Sequence, residues 1–106
     1  MKARHSFCLL MYDITHDGTL QKVARHLQKY GYERINYSVW LGWESPGENP
    51  EFKKKLQALM RNPLAKGSRL YYMPIHGATL KNMKSITGHK PAELEYWLGE
   101  SRLEFF

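Results

Sequence analysis

Asp13 is the residue whose type and position point most directly to chemistry. It stands immediately after an apolar segment, residues 7–12, where the chain leaves a predicted strand. A carboxylate is a hard oxygen ligand of the kind that Mg2+ and Mn2+ prefer. Two Asp13 side chains brought together in a dimer would repel one another unless a divalent cation lay between them. The alternative is a structural role, in which Asp13 bonds to the turn backbone of residues 14–18.

Five further side chains carry useful chemical groups but have simpler interpretations. His16 could transfer protons near neutral pH, yet its spacing indicates only a surface turn residue. Ser38 could hydrogen-bond near Asp13, or be a polar residue on the wet face of a strand. Trp40 and Trp43 could stack on bases, but tryptophan in a half-buried strand usually belongs to a core or an interface. We expect Cys8 to be an inert packing residue.

The net charge indicates an anionic partner. The 106 residues include 16 Lys and Arg against 10 Asp and Glu, which gives +6 and a pI near 9.5. Residues 1–90 hold 15 of the basic and 6 of the acidic residues, so they carry +9 and residues 91–106 carry −3. A folded basic surface favours nucleic acid. The alternative is a set of solvated helix faces. The residues expected to contact phosphates are Arg25, Lys29, Lys53, Lys54 and Lys55.

Several protein classes are excluded by motifs that the sequence lacks. It has no GxGxxG or GxxxxGK[ST] phosphate loop, no HExxH pair and no GxSxG elbow. The strand signature of RNA-recognition domains is also missing. A single cysteine rules out an internal disulfide and fits a reducing compartment. Because the longest apolar run is far shorter than a membrane span, we expect a cytoplasmic protein without a membrane partner.

The elements around Asp13 follow from hydrophobic periodicity. Residues 6–13 are an almost continuous apolar run, which predicts a strand buried on both faces. Apolar residues at helical spacing predict a helix over residues 20–30, with Asp17 as a possible cap and Gly31 at its end.

Three later elements complete the predicted core. Residues 34–43 alternate with a period of two, which predicts strand structure divided at Gly42 or near Trp40. Asn49-Pro50 is a good helix start, with Asn as cap and Pro in the first turn. Residues 69–75 predict a strand whose proline favours the edge of a sheet.

The C-terminal part is less regular. Residues 80–84 suggest a turn or two of helix, residues 91–98 another, and residues 102–106 a short strand. We therefore expect one domain, with a core over residues 1–75 and a C-terminal extension over residues 76–106.

The order of these elements predicts an α+β, ferredoxin-like (βαββαβ) domain, with an antiparallel sheet and both helices on one face. The first strand is apolar at consecutive positions, so its second face also needs cover. A twofold homodimer packed sheet on sheet would provide it. The alternative is cover by the chain's own tail.

Three segments resemble one known family. They are Tyr12-Asp13-Ile14 after an apolar strand, the helix from Val23-Ala24-Arg25 to Tyr30-Gly31, and the strand Arg34 to Trp40. In order and spacing they are similar to the small CRISPR-associated endoribonuclease family (Cas-two), the small subunit of the CRISPR spacer-acquisition complex. The resemblance covers about three-quarters of the chain, and residues 76–98 are longer than the family pattern leads us to expect.

The resemblance implies a ferredoxin-like homodimer whose C-terminal strand adds to the partner's sheet. It implies a Mg2+- or Mn2+-dependent phosphodiesterase site at Asp13. It also implies a scaffold role, in which the protein binds DNA or RNA and an integrase partner during spacer acquisition. The alternatives are a non-catalytic DNA-binding scaffold and a toxin-like ribonuclease of the same fold.

Overall fold

The structure, a computed structural model, describes residues 6–91. Its strands form one antiparallel sheet, in which the strand beginning at Ser6 is paired with the strands beginning at Val39 and Arg69, and the strand beginning at Glu33 pairs with the one at Val39; this order confirms the predicted ferredoxin-like fold. A short 3-10 turn precedes the last strand in this range. No helix within residues 6–91 has the length and apolar character that a membrane crossing requires. The elements are β1 (Ser6–Asp13), α1 (Asp17–Lys29), β2 (Glu33–Asn36), β3 (Val39–Gly42), α2 (Pro50–Met60), β4 (Arg69–His76) and α3 (Gly77–Leu80).

Two C-terminal predictions fall outside this range. The helix expected over residues 91–98 and the strand expected over 102–106 concern residues that, Pro91 apart, the structure does not describe. The predicted division into a core and an extension therefore stays a prediction. Within the extension, a short helix is present as α3, but it lies at Gly77–Leu80 and shares only Leu80 with the predicted range of residues 80–84.

β1 lies in the centre of the sheet, between β3 and β4. Successive side chains of a strand point to opposite faces. Cys8, Leu10 and Tyr12 enter the core under the two long helices, whereas Phe7 joins a second cluster on the other face. The near-continuous apolar run was therefore a correct sign that this strand is packed on both sides.

The helical layer covers one face of the sheet. Val23 and Leu27 of α1 and Phe52 of α2 are fully buried against this face and Trp40. Burying a side chain of this size contributes about 1.5–3 kcal/mol. The predicted start of α2 is confirmed, because Asn49 Oδ1 accepts a hydrogen bond from the Phe52 backbone N–H (3.1 Å). The predicted end of α1 is also confirmed at Gly31, which adopts a φ of 82°.

The opposite face is covered in part by the chain itself. Leu80 of α3 is buried against Phe7 and Leu41, and the Trp43 ring stacks on Phe7 with centroids 4.5 Å apart. The sequence left two alternatives for the cover of this face, a second copy and the chain's own tail. At this end of the sheet, the described part of the tail provides the cover. Farther along β1, Leu9 is only half-buried, so the described residues cover this part of the apolar face incompletely.

The β2–β3 division lies at Tyr37-Ser38, so the predicted positions at Gly42 and near Trp40 were wrong. Asn36 pairs with Val39 across this turn. The Asn36 side-chain oxygen accepts a hydrogen bond from the Tyr37 N–H (2.8 Å), a local bond that favours turns over strands.

Gly42 and Trp40 have packing roles within β3 instead. A Cβ at Gly42 would lie 2.4 Å from the Tyr32 ring, so the close approach requires glycine. Trp40 is 1% exposed, and its ring N–H donates a hydrogen bond to the Tyr12 hydroxyl (3.0 Å). The interpretation of Trp40 as a core residue is confirmed.

We expect Leu80→Ala to lower the free energy of unfolding by about 2–4 kcal/mol, because it opens a cavity over Phe7 and Leu41. Leu64→Ala makes the same change at a side chain that is 69% exposed, so it should shift stability by less than about 0.5 kcal/mol. Denaturant unfolding at fixed protein concentration measures both. Equal small shifts would contradict a sealing role for α3.

Candidate functional site

Asp13 ends β1 with an exposed side chain on the face opposite the helices. Among residues 6–91 its carboxylate forms no hydrogen bond and no salt bridge. The structural alternative, in which Asp13 bonds to the turn backbone of residues 14–18, is therefore not realised within the described part of the chain. No residue of the described range 6–91 therefore occupies this carboxylate.

Arg69, the first residue of β4, lies directly opposite Asp13 in the strand register. Directly opposed residues of antiparallel strands have Cβ atoms about 4.5–5.5 Å apart. Both side chains are exposed, and they form no salt bridge with each other. A guanidinium binds phosphate with fixed geometry. At this corner of the sheet, a carboxylate that can bind a cation therefore lies beside a guanidinium that can bind an anion.

The loop after Asp13 is held by two sets of hydrogen bonds. The Thr15 N–H donates to Ser68 Oγ (3.0 Å), and the two hydroxyls lie 3.2 Å apart. His16 Nδ1 accepts from the Thr19 N–H (3.1 Å) and lies 3.0 Å from the Thr19 hydroxyl. His16 is thus the N-cap of α1 and Asp17 is its first residue, which corrects the predicted Asp17 cap.

The β2–β3 turn forms another side of this corner. The Tyr12 N–H donates to the Ser38 carbonyl (3.1 Å), which places the turn one residue from Asp13. Ser38 lies in the turn itself. The alternative interpretation, which placed Ser38 on the wet face of a strand, was therefore wrong. Tyr37, in the same turn, is 75% exposed.

The described part of one chain does not supply a complete set of metal ligands. No group of three or more His, Cys, Asp or Glu side chains within residues 6–91 could hold a metal ion. Mg2+ in nucleic-acid enzymes is commonly held by one or two carboxylates, with water and substrate phosphates completing the octahedron. Asp13, which is exposed and has no partner among residues 6–91, meets that requirement only if a second carboxylate or a phosphate joins it.

An apolar strip runs along the open face toward Asp13. Leu9 and Met11 of β1 are half-buried, and their neighbours on β4, Met73 and Tyr71, are 47% and 57% exposed. The strip continues the cluster under α3 and ends at the Asp13–Arg69 pair. Such a contiguous apolar surface is typical of an interface.

The predicted basic run at residues 53–55 does not form one surface. Successive residues of a helix are about 100° apart around its axis. Lys53 lines a groove of about 430 Å³ between α2 and β4, whereas Lys55 lines a different cleft on the α1 side of α2. Lys54 lines neither and is exposed.

The second cleft gathers the other predicted basic residues. We call it the α1–α2 cleft; its volume is about 390 Å³. The lining contains four basic side chains, one histidine and one leucine, and it contains no Asp or Glu among the described residues. The lining residues are Lys22, Arg25, His26, Lys29, Lys55 and Leu59.

Burial and the nearby positive charges both affect the pKa of His26 in this cleft. Its pKa lies below the ordinary value of 6.5, first because burial disfavours the charged ring and then because Lys55 and Lys29 stand near. Its Nε2 atom is buried without a hydrogen-bond partner among the described residues.

The family to which this chain belongs follows from its similarity to a known protein family. The profile of the family described as "CRISPR associated protein Cas2" matches residues 6–83. The chain belongs to the Cas2 family. The resemblance inferred from the segments around Asp13, Val23 and Arg34 is thereby confirmed.

Relatives of this Cas2-family chain share its fold. The CRISPR-associated endoribonuclease Cas2 1 of Archaeoglobus fulgidus is 30% identical over 54 residues, 51% of this chain and 57% of the relative, so the match spans little more than half of that protein. A chain from a partial Cas6-RT-Cas1–Cas2 complex superposes with a TM-score of 0.64 at 24% identity, covering 82% of this chain and 97% of that one. Streptococcus pyogenes Cas2 superposes with a TM-score of 0.61 at 19% identity, covering 76% and 99%.

The structure adds residues that the sequence did not single out in this Cas2-family chain. Arg69 was missed because its register against Asp13 is a tertiary fact. Lys22 was not among the residues expected to contact phosphates, although its spacing of three and seven residues from Arg25 and Lys29 puts all three on one helix face. That spacing was the available signal.

We expect His16→Ala to destabilise the protein by about 1 kcal/mol, because it removes the acceptor for the Thr19 N–H. His16→Asn should restore most of that loss, since Asn is a strong N-cap residue. Thermal and denaturant unfolding measure the pair. If the Asn variant stayed as unstable as the Ala variant, the cap would not be what His16 contributes.

Proposed function

We propose that this Cas2-family protein is a homodimer that hydrolyses phosphodiester bonds as a metal-dependent endoribonuclease, with Asp13 as its catalytic and metal-binding residue. The same dimer acts as a DNA-binding scaffold for a CRISPR integrase in spacer acquisition. The single observation that carries the proposal is an exposed carboxylate, unpaired among the described residues, at the end of an open apolar sheet face.

The dimer follows from the apolar strip. Leu9, Met11, Tyr71 and Met73 present contiguous apolar side chains to solvent. A twofold axis through this face buries the strip of both copies, since an isologous interface uses the same patch twice. Asp13 ends the same strand face, and an axis that passes close to this end of β1 brings the two carboxylates toward each other.

The chemistry follows from that juxtaposition. Bound Mg2+ or Mn2+ supplies charge neutralisation at the scissile phosphate and a lower pKa for an attacking water. Asp13 from each copy would hold the cation, whose positive charge would relieve the repulsion between the two carboxylates. Arg69, opposite Asp13 in the register, binds a phosphate oxygen and orients the backbone of the substrate.

The assignment of RNA cleavage and integrase partnership draws on the relatives. The Archaeoglobus fulgidus relative is named an endoribonuclease, and a structural neighbour belongs to a complex that contains Cas1 and Cas2. The non-catalytic scaffold is the second candidate, favoured by the α1–α2 cleft, whose cations lie apart from Asp13. Both roles are compatible in one dimer.

We expect Asp13→Asn to reduce Mg2+-dependent cleavage of single-stranded RNA at least about 100-fold, because losing even an outer partner of a metal site costs 10–100-fold. Gel analysis of labelled RNA with Mg2+, Mn2+ or EDTA measures the activity. The variant should still form the dimer and bind duplex DNA, since the amide keeps the shape of the carboxylate.

Asp17→Asn is the matched control for this experiment. Asp17 is an exposed carboxylate four residues away, in the first turn of α1. Its variant should cleave as the original protein does. Cleavage that survives in the purified Asp13 variant would overturn the catalytic assignment, and unchanged DNA binding would then leave the scaffold role in place.

A further inference from the structure

We propose that the α1–α2 cleft binds the phosphodiester backbone of duplex DNA, so that each copy of the protein holds DNA on its helical face. The class of ligand rests on the proposed function. The location, the residues and the separation from Asp13 come from the structure of the cleft itself.

The cleft brings like charges together without compensation. Lys22, Arg25 and Lys29 follow one face of α1, and Lys55 approaches from α2. Among the described residues none of these four side chains forms a salt bridge. Converging cations repel one another. His26 lines the same cleft, and its pKa is lowered first by burial and then by the charges of Lys55 and Lys29. A polyanion removes that repulsion when it binds.

The spacing of the cations fits a nucleic-acid strand. Seven residues of α-helix span about 10 Å, the distance along the axis from Lys22 to Lys29. Phosphates on one strand of DNA rise about 3.4 Å each along the duplex axis. A row of cations of this length, lying parallel to the duplex axis, therefore spans about three steps between successive phosphates of one strand, and Lys55 flanks it.

Duplex DNA fits this lining better than single strands. Proteins that hold single strands stack the bases on exposed aromatic rings. The one ring in the described lining, that of His26, packs against Tyr30 and Phe52 with centroids 5.0 and 5.5 Å away. Contacts to phosphate alone, without base stacking, are those of sequence-independent duplex binding.

The α1–α2 cleft is separate from the corner of the sheet where Asp13 and Arg69 lie. It lies in the helical layer and is lined by side chains of α1 and α2, whereas Asp13 points to the other face of the sheet. DNA in the cleft of one copy does not cover Asp13 of that copy. Binding in the cleft is thus independent of the Asp13 carboxylate.

The three consecutive lysines of α2 provide the test. Lys54→Glu and Lys55→Glu change the net charge equally on neighbouring residues, but only Lys55 lines the cleft. Binding of a fluorescent 30-base-pair duplex, measured by anisotropy from about 50 to 200 mM salt, should weaken at least about 10-fold for Lys55→Glu and less than about 3-fold for Lys54→Glu. The salt slope should fall by about one for Lys55→Glu.

Three further arms make the outcome decisive. Lys22→Glu should match Lys55→Glu, because it removes a cation from the α1 side of the same cleft. Single-stranded RNA should be less sensitive than the duplex to both substitutions, and thermal melting verifies that each variant is folded.

If the Lys54 and Lys55 variants lost equal affinity for the duplex while the original protein bound it, the cleft would not be the DNA-binding site. The scaffold role would then use another surface of the protein. A greater effect on RNA than on the duplex would overturn the choice of ligand. No duplex binding by the original protein at about 50 mM salt would overturn both the cleft and the scaffold part of the proposed function, whereas Asp13-dependent cleavage would be unaffected.

Discussion

Packing on both faces of β1 is the constraint on which the rest of the structure depends. Cys8, Leu10 and Tyr12 must be buried under helices, and Phe7 must be buried on the other side. The strand therefore lies in the centre of the sheet, with β3 and β4 beside it. Its last residue, Asp13, is fixed at a corner where the first loop and β4 meet. The position of the one candidate catalytic carboxylate is thus a consequence of hydrophobic packing.

The same constraint divides the molecule into two working surfaces. One is the open sheet face, where an apolar strip leads to Asp13 and Arg69. The other is the helical layer, where Lys55 and the cations of α1 converge in the α1–α2 cleft. Because the sheet separates them, the dimerisation and metal binding that we propose use one side, and the DNA binding that we propose uses the other. The two proposed roles therefore depend on different residues of the same small domain.

Local signals in the sequence predicted the elements well. The apolar run of β1, the Asn49 cap and the terminating Gly31 each act through a few neighbouring residues, so the sequence contains the whole signal. The His16 cap was missed because histidine is an unusual cap and Asp17 is a common one. The turn at Tyr37-Ser38 depends on a side-chain bond of Asn36 that competes with the strand pattern.

Tertiary relations could not be predicted in the same way. The register that sets Arg69 opposite Asp13 depends on how β4 pairs with β1, and the division of Lys54 and Lys55 between surfaces depends on where α1 packs. The cover that Leu80 gives to Phe7 requires the chain to fold back across the sheet. These relations join residues that are far apart in the chain, and they are the ones that define both surfaces.

In the proposed function, two copies of the chain are needed to complete a metal site at Asp13. Electron paramagnetic resonance titration of the purified protein with Mn2+ tests this directly, because free and bound Mn2+ give distinct signals. We expect one tightly bound Mn2+ per two chains, displaced by Mg2+ and lost in Asp13→Asn. One Mn2+ per chain, or tight binding that persists without the Asp13 carboxylate, would contradict it.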